Sequence, residues 1–526
     1  MKKFLTSAFL AVAILSCGGA KSSNEVKLTY NLGQEGKTLD QNLATSSSST
    51  QIFGLTQEGL FKVGKDLTIQ NGLVKDYSTS EDGKTWTFHL KDNIKWSNGD
   101  EITANDFKFS WLRVLNPETA AEYAYMLYYI DGAEAYNSGK TTADKVGIKV
   151  IDDKTIEVTL KADIKFFKAV LTHAIYLPSN EKFVKEKGDE YALEADTLIS
   201  SGPYILKDWV HNSQMEFVKN PYYYNKDAIQ VDKIVAKQIG DPNAALNAFN
   251  NEELDIVSIP AESYEKYKND PRLVATTEAT AWYSEFNVTH PLLKNKKIRQ
   301  ALHLAVDREE LVSVVYKNLN RVADSFTPQG LGMDFGKVVP SFDPVKAKKL
   351  FTEGLVELGL NPNDKVEISM IAGDTPISKK HVEFIQEQLR KNLGVELNIE
   401  LMQFKERLNR MNQKNFAIVS AGWGADFLDP INFLDLWVSG GGNNHTSFAN
   451  KEYDALIKKA TVSPSDKERY EALLAAEKML ADEMPVSTLF HRSTYRLINP
   501  KFKNVVLPAF GADIVFNYVT VDKDAK

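Results

Sequence analysis

The sequence predicts an exported α/β protein built from two or three domains. Its 526 residues exceed the size of a typical single domain. Strand-like and helix-like hydrophobic patterns alternate along most of the chain, which is typical of α/β architecture. With 43% hydrophobic and 25% charged residues, the composition is that of a globular protein. The net charge of -7 and the lack of a Lys/Arg-rich stripe argue against nucleic-acid binding.

The N-terminus carries the pattern of a secretory signal. Two lysines precede an apolar run at residues 4–15, which is shorter than the roughly 20 residues that span a bilayer. The Ile-Leu-Ser-Cys stretch at 14–17 resembles a bacterial lipobox, which implies a cleaved signal peptide at 1–16, a diacylated Cys17 and a polar tether at 17–25. The alternative is an ordinary signal peptide with an incidental cysteine. Because Cys17 is the only cysteine, no intramolecular disulfide can form.

The first part of the mature chain gives clear local signals. Residues 26–32 alternate and predict a strand, whereas the Thr-Ser-Ser-Ser-Ser-Thr run at 45–50 predicts a loop or linker. A half-buried strand at 85–90 leads through a turn to a helix with Thr103 as its N-cap. A hairpin follows at 147–160.

Strand and helix patterns continue to alternate in the second half of the chain. The predicted elements are strands at 365–373, 395–403 and 416–423 and helices from about 378 to 392 and from about 466 to 484. The run at 416–423 is continuously apolar, as in a strand that is covered on both faces.

Enzyme motifs are absent from the sequence. Gly-Lys-Thr occurs three times, but Asn31, Ser78 and Glu134 stand where a phosphate-binding loop needs its first glycine. Neither the H-E-x-x-H zinc motif nor the G-x-S-x-G nucleophile motif is present. The eight histidines are scattered, so we predict no metal site and no cofactor. An acid/base pair among the many carboxylates stays open, but the sequence favours a binding protein.

Five segments, in this order, carry a specific resemblance to a known family. They are 86–111, 201–210 (SGPYILKDWV), 220–225 (NPYYYN), 298–309 and 421–434 (AGWGADFLDPINFL). They resemble the large solute-binding proteins of peptide ABC importers, family 5, cluster C, and among these the oligopeptide-binding lipoproteins. The resemblance covers essentially the whole mature chain. It implies a three-domain fold of the type II periplasmic-binding-protein class, in which two lobes close on the ligand by a hinge motion.

The resemblance also implies how the chain is divided among the domains. Lobe I is expected to comprise 26–57, 187–280 and 497–526, an accessory domain 58–186, and lobe II 281–496.

An aspartate in the segment 421–434, the last of the five that resemble the family, is the main candidate for ligand binding. Asp426 matches the family aspartate that pairs with the α-ammonium group of the peptide. A carboxylate that loses water when the lobes close is costly when unpaired and attracts a cation. The alternative is that Asp426 begins a turn or caps the next helix, a role that Asp429 fits better.

Two small-residue segments are expected to flank the peptide backbone. Gly422 and Gly424 would allow a bound strand to approach closely and to form main-chain hydrogen bonds. The resemblance places Thr45, Ser46 and Ser47 on the other side of the peptide, as flat polar edge material. The alternative for these three residues is a solvated loop.

Other family positions complete the expected site. Tyr123 matches a tyrosine that touches the peptide backbone. Trp423 and Phe404 match aromatic residues that line side-chain pockets, and Tyr283 and Glu285 match pocket residues just past the interlobe crossing. Each aromatic residue has a core position as its alternative.

The chain departs from the family where the ligand carboxylate is bound. Relatives that prefer short peptides present basic residues at positions that here hold Ser378, Met411 and Ser420. Arg410 and Lys379 each lie next to one of these positions, so a shifted contact is one interpretation. The others are that the ligand is longer, blocked or not a free peptide.

The predicted function is a lipid-anchored receptor, either periplasmic or at the cell surface, that delivers oligopeptides to the permease subunits of an ABC importer. It is expected to be a monomer and to catalyse no reaction. Alternatives are receptors for dipeptides, murein peptides, haem or a nickel chelate and, in another class, a secreted hydrolase on the same fold.

Overall fold

The computed structural model describes residues 25–522. Cys17, the predicted signal peptide at 1–16 and nearly all of the predicted tether therefore lie outside the described residues. Within 25–522, no helix combines the length and the apolar character needed to cross a bilayer.

A seven-stranded mixed sheet forms the centre of lobe I. Its strands, in spatial order, are Leu273–Thr277, Ser493–Ile498, Ile256–Ser258, Lys27–Asn31, Lys233–Lys237, Gln214–Lys219 and Tyr204–Val210. The helices of this lobe are Ser47–Thr56, Pro242–Asn250 and Tyr264–Tyr267. The predicted first strand is confirmed as Lys27–Asn31, and its apolar Leu28 and Tyr30 are buried.

The accessory domain is built on a four-stranded antiparallel sheet. Its strands, in spatial order, are Val74–Thr79, Thr85–Leu90, Thr155–Thr159 and Ile148–Asp152. Its helices are Ala104–Leu115, Ala133–Asn137, Phe167–Val170 and Glu181–Lys187, and Phe61–Val63 pairs with Ile69–Asn71 beside it. The helix after Thr103 is confirmed: the Thr103 N–H donates to the Asp106 carboxylate at 2.8 Å, which closes the first turn.

A six-stranded sheet forms the centre of lobe II. Its strands, in spatial order, are Arg321–Val322, Val486–His491, Thr280–Phe286, Ile418–Gly424, Val366–Gly373 and Val395–Met402. The helices are Lys296–Leu304, Arg308–Val314, Pro344–Glu357, Pro376–Leu393, Phe404–Asn412, Ile431–Leu434, Lys451–Val462 and Asp466–Glu483. Outside the three large sheets, Phe502–Lys503 pairs with Thr520–Val521. The strands and helices predicted for this half of the chain are all present.

The segment at 45–50 is not the loop or edge that the sequence suggested. It begins the helix Ser47–Thr56. The side chain of Ser46 accepts the Ser49 N–H at 3.2 Å, and the Ser49 hydroxyl donates to the Thr38 carbonyl at 2.7 Å. A run of serines therefore starts a helix here because its hydroxyl groups cap the first turn and tie it to the preceding chain.

Two adjacent chain crossings join the lobes. Leu273–Thr277 of lobe I continues into Thr280–Phe286 of lobe II, and Val486–His491 returns into Ser493–Ile498. An ion pair at 2.6 Å, between Arg492 and Glu278, links the two crossings.

The return crossing bears on the expected domain boundary. Arg492, at this crossing, is paired with Glu278. The strand Ser493–Ile498 already belongs to the lobe I sheet, although the expected boundary assigned residues up to 496 to lobe II. We propose that lobe II ends at Arg492.

A buried ion pair positions the chain that follows Asp426. Arg469, on the helix Asp466–Glu483, donates to the Asp429 carboxylate at 2.5 Å, and their side chains are only 5% and 11% exposed. The Asp429 carboxylate also accepts the Ile431 N–H at 2.9 Å. The long C-terminal helix thus fixes the turn that presents Asp426.

We expect Arg469→Met to lower the free energy of unfolding of lobe II by about 3–5 kcal/mol, because Asp429 is left buried without its cation. Urea denaturation followed by tryptophan fluorescence measures this change. Lys467→Met on the same helix is the matched control, since the Lys467 side chain is 85% exposed. Equal stability of the two variants would contradict a structural role for the pair.

Candidate ligand-binding site

A cavity of about 290 Å³ lies where lobe I, the accessory domain and lobe II meet. It brings together six of the residues that the sequence selected. These are Thr45, Ser46, Ser47, Tyr123, Gly424 and Asp426. Phe166 of the accessory domain stacks on Phe427 of lobe II, with ring centroids 5.7 Å apart, so the two domains are in contact beside the cavity.

The start of the helix Ser47–Thr56 forms the lobe I side of the cavity. Thr45 and Ser47 are exposed, whereas Ser46 uses its side chain to cap the helix. Thr50 and Gly54 follow on the cavity-lining face of this helix. Lobe I therefore presents small and uncharged groups here.

Asp426 lies at the lobe II side of the cavity and is nearly buried. Its side chain is 12% exposed. Its N–H donates to Asn432 Oδ1 at 2.8 Å, while the amide group of Asn432 lies 3.5 Å from the carboxylate. Burial raises the pKa of Asp426 to about 7, because the few contacts it makes do not replace the lost water.

His173 is the nearest basic side chain recorded for Asp426 within residues 25–522. Its Nε2 lies 4.0 Å from the carboxylate. Burial lowers the pKa of His173 to about 4, so the imidazole is neutral at the pH at which Asp426 ionises. The two groups are therefore close but do not form an ion pair, and the carboxylate has no compensating cation in the described part of the chain.

Aromatic rings and a second carboxyl group surround Asp426. Tyr123 stacks on Tyr125 with ring centroids 5.7 Å apart, and its ring lies 5.3 Å from that of His173. Burial, together with the charges of Asp426 and Asp429, raises the pKa of Asp435 to about 7. Carboxylates beside aromatic faces form a favourable environment for a cation.

The two glycines of the neighbouring strand differ in their surroundings. A Cβ atom at Gly422 would lie 2.9 Å from the indole of Trp282, so the bare backbone at this position accommodates that side chain. A Cβ atom at Gly424 would make only an ordinary contact, at 3.6 Å from Thr280, and Gly424 lines the cavity. That a ligand backbone approaches both glycines closely stays a prediction. At Gly422, the contact with Trp282 is a separate reason why the position has no side chain.

Gly422 and four other candidates do not line this cavity. Trp423 is partly buried, and its indole N–H is buried without an acceptor among the described residues. Tyr283 is 4% exposed and packs against Phe326, as a core residue does. Glu285 is 1% exposed, and Phe404 is 66% exposed at the start of a helix.

Sequence reasoning missed several cavity residues. His173 lines the cavity, although its sequence context favours a core position. The C-terminal loop also contributes Phe510, Ala512 and Asn517, and Asn517 Oδ1 is buried without a donor in the described part of the chain. No local pattern marks these residues, because only the return of the chain to lobe I brings them here.

Comparison with known proteins places this geometry in context. The sequence profile described as bacterial extracellular solute-binding proteins, family 5 Middle, matches residues 68–445. The chain is similar to the dipeptide-binding protein DppE of Bacillus subtilis, with 34% identity over 93% of this chain and 90% of that protein. It is also similar to the oligopeptide-binding protein OppA of the same bacterium, with 32% identity over 94% and 92% of the two chains. Among solved structures, OppA of Listeria monocytogenes bound to peptide aligns with a TM-score of 0.80 and 31% identity, covering 95% of this chain and 100% of that one.

The raised pKa of Asp426 predicts a pH-dependent stability difference. Since the pKa in the folded protein, about 7, lies above the ordinary value of 3.8, ionisation opposes folding as the pH rises between these values. Asp426→Asn removes this penalty. We expect the ligand-free variant to match the parent protein near pH 4 and to exceed its free energy of unfolding by about 2–4 kcal/mol at pH 8.

Urea denaturation of ligand-stripped protein across this pH range measures the difference. Asp92→Asn is the control, because the Asp92 side chain is 75% exposed and should show no such trend. A difference between the parent protein and Asp426→Asn that does not change with pH would contradict a buried, uncompensated carboxyl group.

Proposed function

The chain belongs to the bacterial extracellular solute-binding proteins of family 5, and from this premise we propose that it captures oligopeptides outside the cytoplasm and delivers them to the permease of an ABC importer. The single observation that carries the proposal is the nearly buried Asp426 at the junction of the lobes, which has no cationic partner within residues 25–522. The names of its relatives as dipeptide- and oligopeptide-binding proteins support the same ligand class.

The α-ammonium group of the peptide supplies the missing positive charge. When it binds Asp426, it forms a charge-assisted hydrogen bond in a site from which water is largely excluded. Tyr123 lies against the same position, and its pKa is raised by burial and by the charge of Asp426. The ring therefore stays a neutral phenol, which can donate a hydrogen bond to the peptide backbone.

The main chain of the peptide is held without regard to its sequence. The exposed Gly422 and Gly424 belong to the strand Ile418–Gly424, and an extended ligand can align with this segment through main-chain hydrogen bonds. The small hydroxyl residues Thr45 and Ser47 face the ligand from lobe I. Side-chain selection is then left to Trp423 and to the pocket positions around it.

The proposal assigns no catalytic step and no cofactor to this protein. Its relatives are binding proteins, and the site chemistry described above is that of a cation receptor. Within residues 25–522, no cluster of three or more His, Cys, Asp or Glu side chains is arranged to hold a metal ion.

Anchoring and assembly are the remaining parts of the proposal. The lipobox-like sequence before Cys17 supports a lipid anchor at the outer face of the membrane, in a periplasmic or cell-surface location. The anchor keeps the receptor near its permease. A monomer suits this cycle, because each lobe must move freely when the ligand is released.

We expect Asp426→Asn to weaken the binding of peptides with a free amino group by about 2–5 kcal/mol, since a desolvated charge pair is lost. Isothermal titration calorimetry of ligand-stripped protein with a mixed-sequence peptide set measures the change. N-acetylated peptides should bind weakly to both proteins. Glu122→Gln, an exposed carboxylate beside Tyr123, is the matched control. Equal losses for free and acetylated peptides would remove Asp426 from the amine site.

Cys17→Ala should release the protein from membranes, because the acceptor of the lipid is removed. Fractionation of cells that express the parent or the variant protein, followed by immunoblotting of the membrane and soluble fractions, measures this. If the variant stays in the membrane fraction, the lipid-anchor proposal is wrong.

A further inference from the structure

Three parallel strands of lobe II end at one edge of the sheet, and this edge continues into the cavity. The strands are Val366–Gly373, Val395–Met402 and Ile418–Gly424. Gly424 and Asp426 at the end of the last strand line the cavity. The carboxyl ends of parallel strands are the usual place for ligand-binding groups in α/β proteins.

Arg407 lies over this edge with unused hydrogen-bonding capacity. Its Nη1 donates to the Ser420 carbonyl at 2.7 Å, and its guanidinium carbon lies 5.4 Å from the centre of the Phe404 ring. Its Nε is buried without an acceptor among the described residues. A guanidinium carries five N–H donors, and the Ser420 carbonyl is the one hydrogen-bond acceptor recorded for them in the described part of the chain.

The missing side chain of Gly373 leaves room for a small group beside Arg407, and a second donor flanks this position. A methyl group built on Gly373 would lie 3.5 Å from Ser378 Oγ and 4.0 Å from Arg407 Nη1, with no atom closer. Ser378 belongs to the first turn of the 18-residue helix Pro376–Leu393. The positive end of this helix therefore adds to the charge of the guanidinium at one position.

Two other basic residues near this edge are already engaged. Arg410 pairs with Glu400 at 2.6 Å, and Lys379 lies 3.8 Å from Glu383. These are the two cations that the sequence offered for a shifted carboxylate contact. Arg407 differs from both, because it is partly buried and its Nε has no acceptor within the described part of the chain.

Glu285 balances Arg407 from the opposite side. It lies on the strand Thr280–Phe286, which pairs with the other edge of Ile418–Gly424. Burial lowers the pKa of Arg407, and the negative charge of Glu285 opposes this effect. Within the described residues, the two side chains do not form an ion pair. An anion above Gly373 would therefore contact Arg407. The strand Ile418–Gly424 would separate this anion from the Glu285 carboxylate.

On the basis of the proposed function, we propose that Arg407 and Ser378 bind the α-carboxylate of the peptide. Arg407 acts in place of the basic residues that are missing at Ser378, Met411 and Ser420. The guanidinium reaches the site from one helical turn before Met411 and is oriented by its bond to the Ser420 carbonyl.

The distance between the two charged sites sets the ligand length. Ser420 and Asp426 are six positions apart, and the strand ends at Gly424, so their separation is at most roughly 20 Å at about 3.3 Å per residue. A peptide with its ammonium group at Asp426 and its carboxylate at Arg407 therefore contains at most about six residues. Dipeptides are too short to reach both.

The test is calorimetry of ligand-stripped protein with peptides of two to eight residues, each as a free acid and as a C-terminal amide. For the parent protein we expect free acids of four to six residues to bind at least roughly tenfold more tightly than their amides. Arg407→Gln should reduce this ratio to about one without weakening the amides, and Arg407→Lys should restore part of it. Arg410→Gln and Lys379→Gln are matched controls that should keep the full ratio.

Several outcomes would overturn the inference. These are equal binding of acids and amides by the parent protein, an undiminished ratio in Arg407→Gln, and loss of the ratio in Arg410→Gln alone. If Arg407→Gln does not fold, as shown by its thermal melt, Ser378→Ala provides the second test and should lower the ratio by a smaller factor. Failure of every peptide to bind the parent protein would instead refute the proposed function itself, which separates the two hypotheses.

Discussion

The buried and uncompensated carboxylate of Asp426 is the constraint on which the site depends. An ionised group that loses water without gaining a partner is costly, and the pKa of about 7 expresses that cost. Lobe II holds the group in place nonetheless, because Asn432 binds its main chain and Arg469 fixes the adjacent Asp429. These supports allow the protein to hold a carboxyl group that is neutralised in place either by a proton or by the cation of a ligand.

Local sequence patterns predicted most of the elements that carry this site. The helix after Thr103 was predictable because its capping residues are neighbours in sequence. The helix Ser47–Thr56 was not, since a serine run has weak helix propensity and this helix is stabilised by the contact of Ser49 with Thr38 and by the burial of Ile52. Tertiary contacts of this kind leave no periodic signal.

The residues of the candidate site also fall into those that the sequence could identify and those that it could not. Asp426 stands in a distinctive segment, so a resemblance could identify it from the sequence. His173 and Arg407 could not be identified, because their roles depend on which residues the fold brings next to them. Arg407 reaches the candidate site because the helix Phe404–Asn412 packs next to Ser420. No local sequence pattern predicts this packing arrangement.

The distribution of charge between the lobes indicates that the peptide binds one lobe before the lobes close. Both charged ends of the proposed ligand are bound by lobe II, at Asp426 and Arg407. On the accessory-domain side, the cavity-lining Glu58 and Lys62 neutralise each other at 3.1 Å, so this side offers the ligand little net charge. The peptide can therefore be oriented on lobe II first. Closure of the lobes then brings the lobe I hydroxyl groups to the peptide and excludes water from charges that are already paired. Because an unpaired charge makes that exclusion costly, a ligand cation that pairs with ionised Asp426 favours closure.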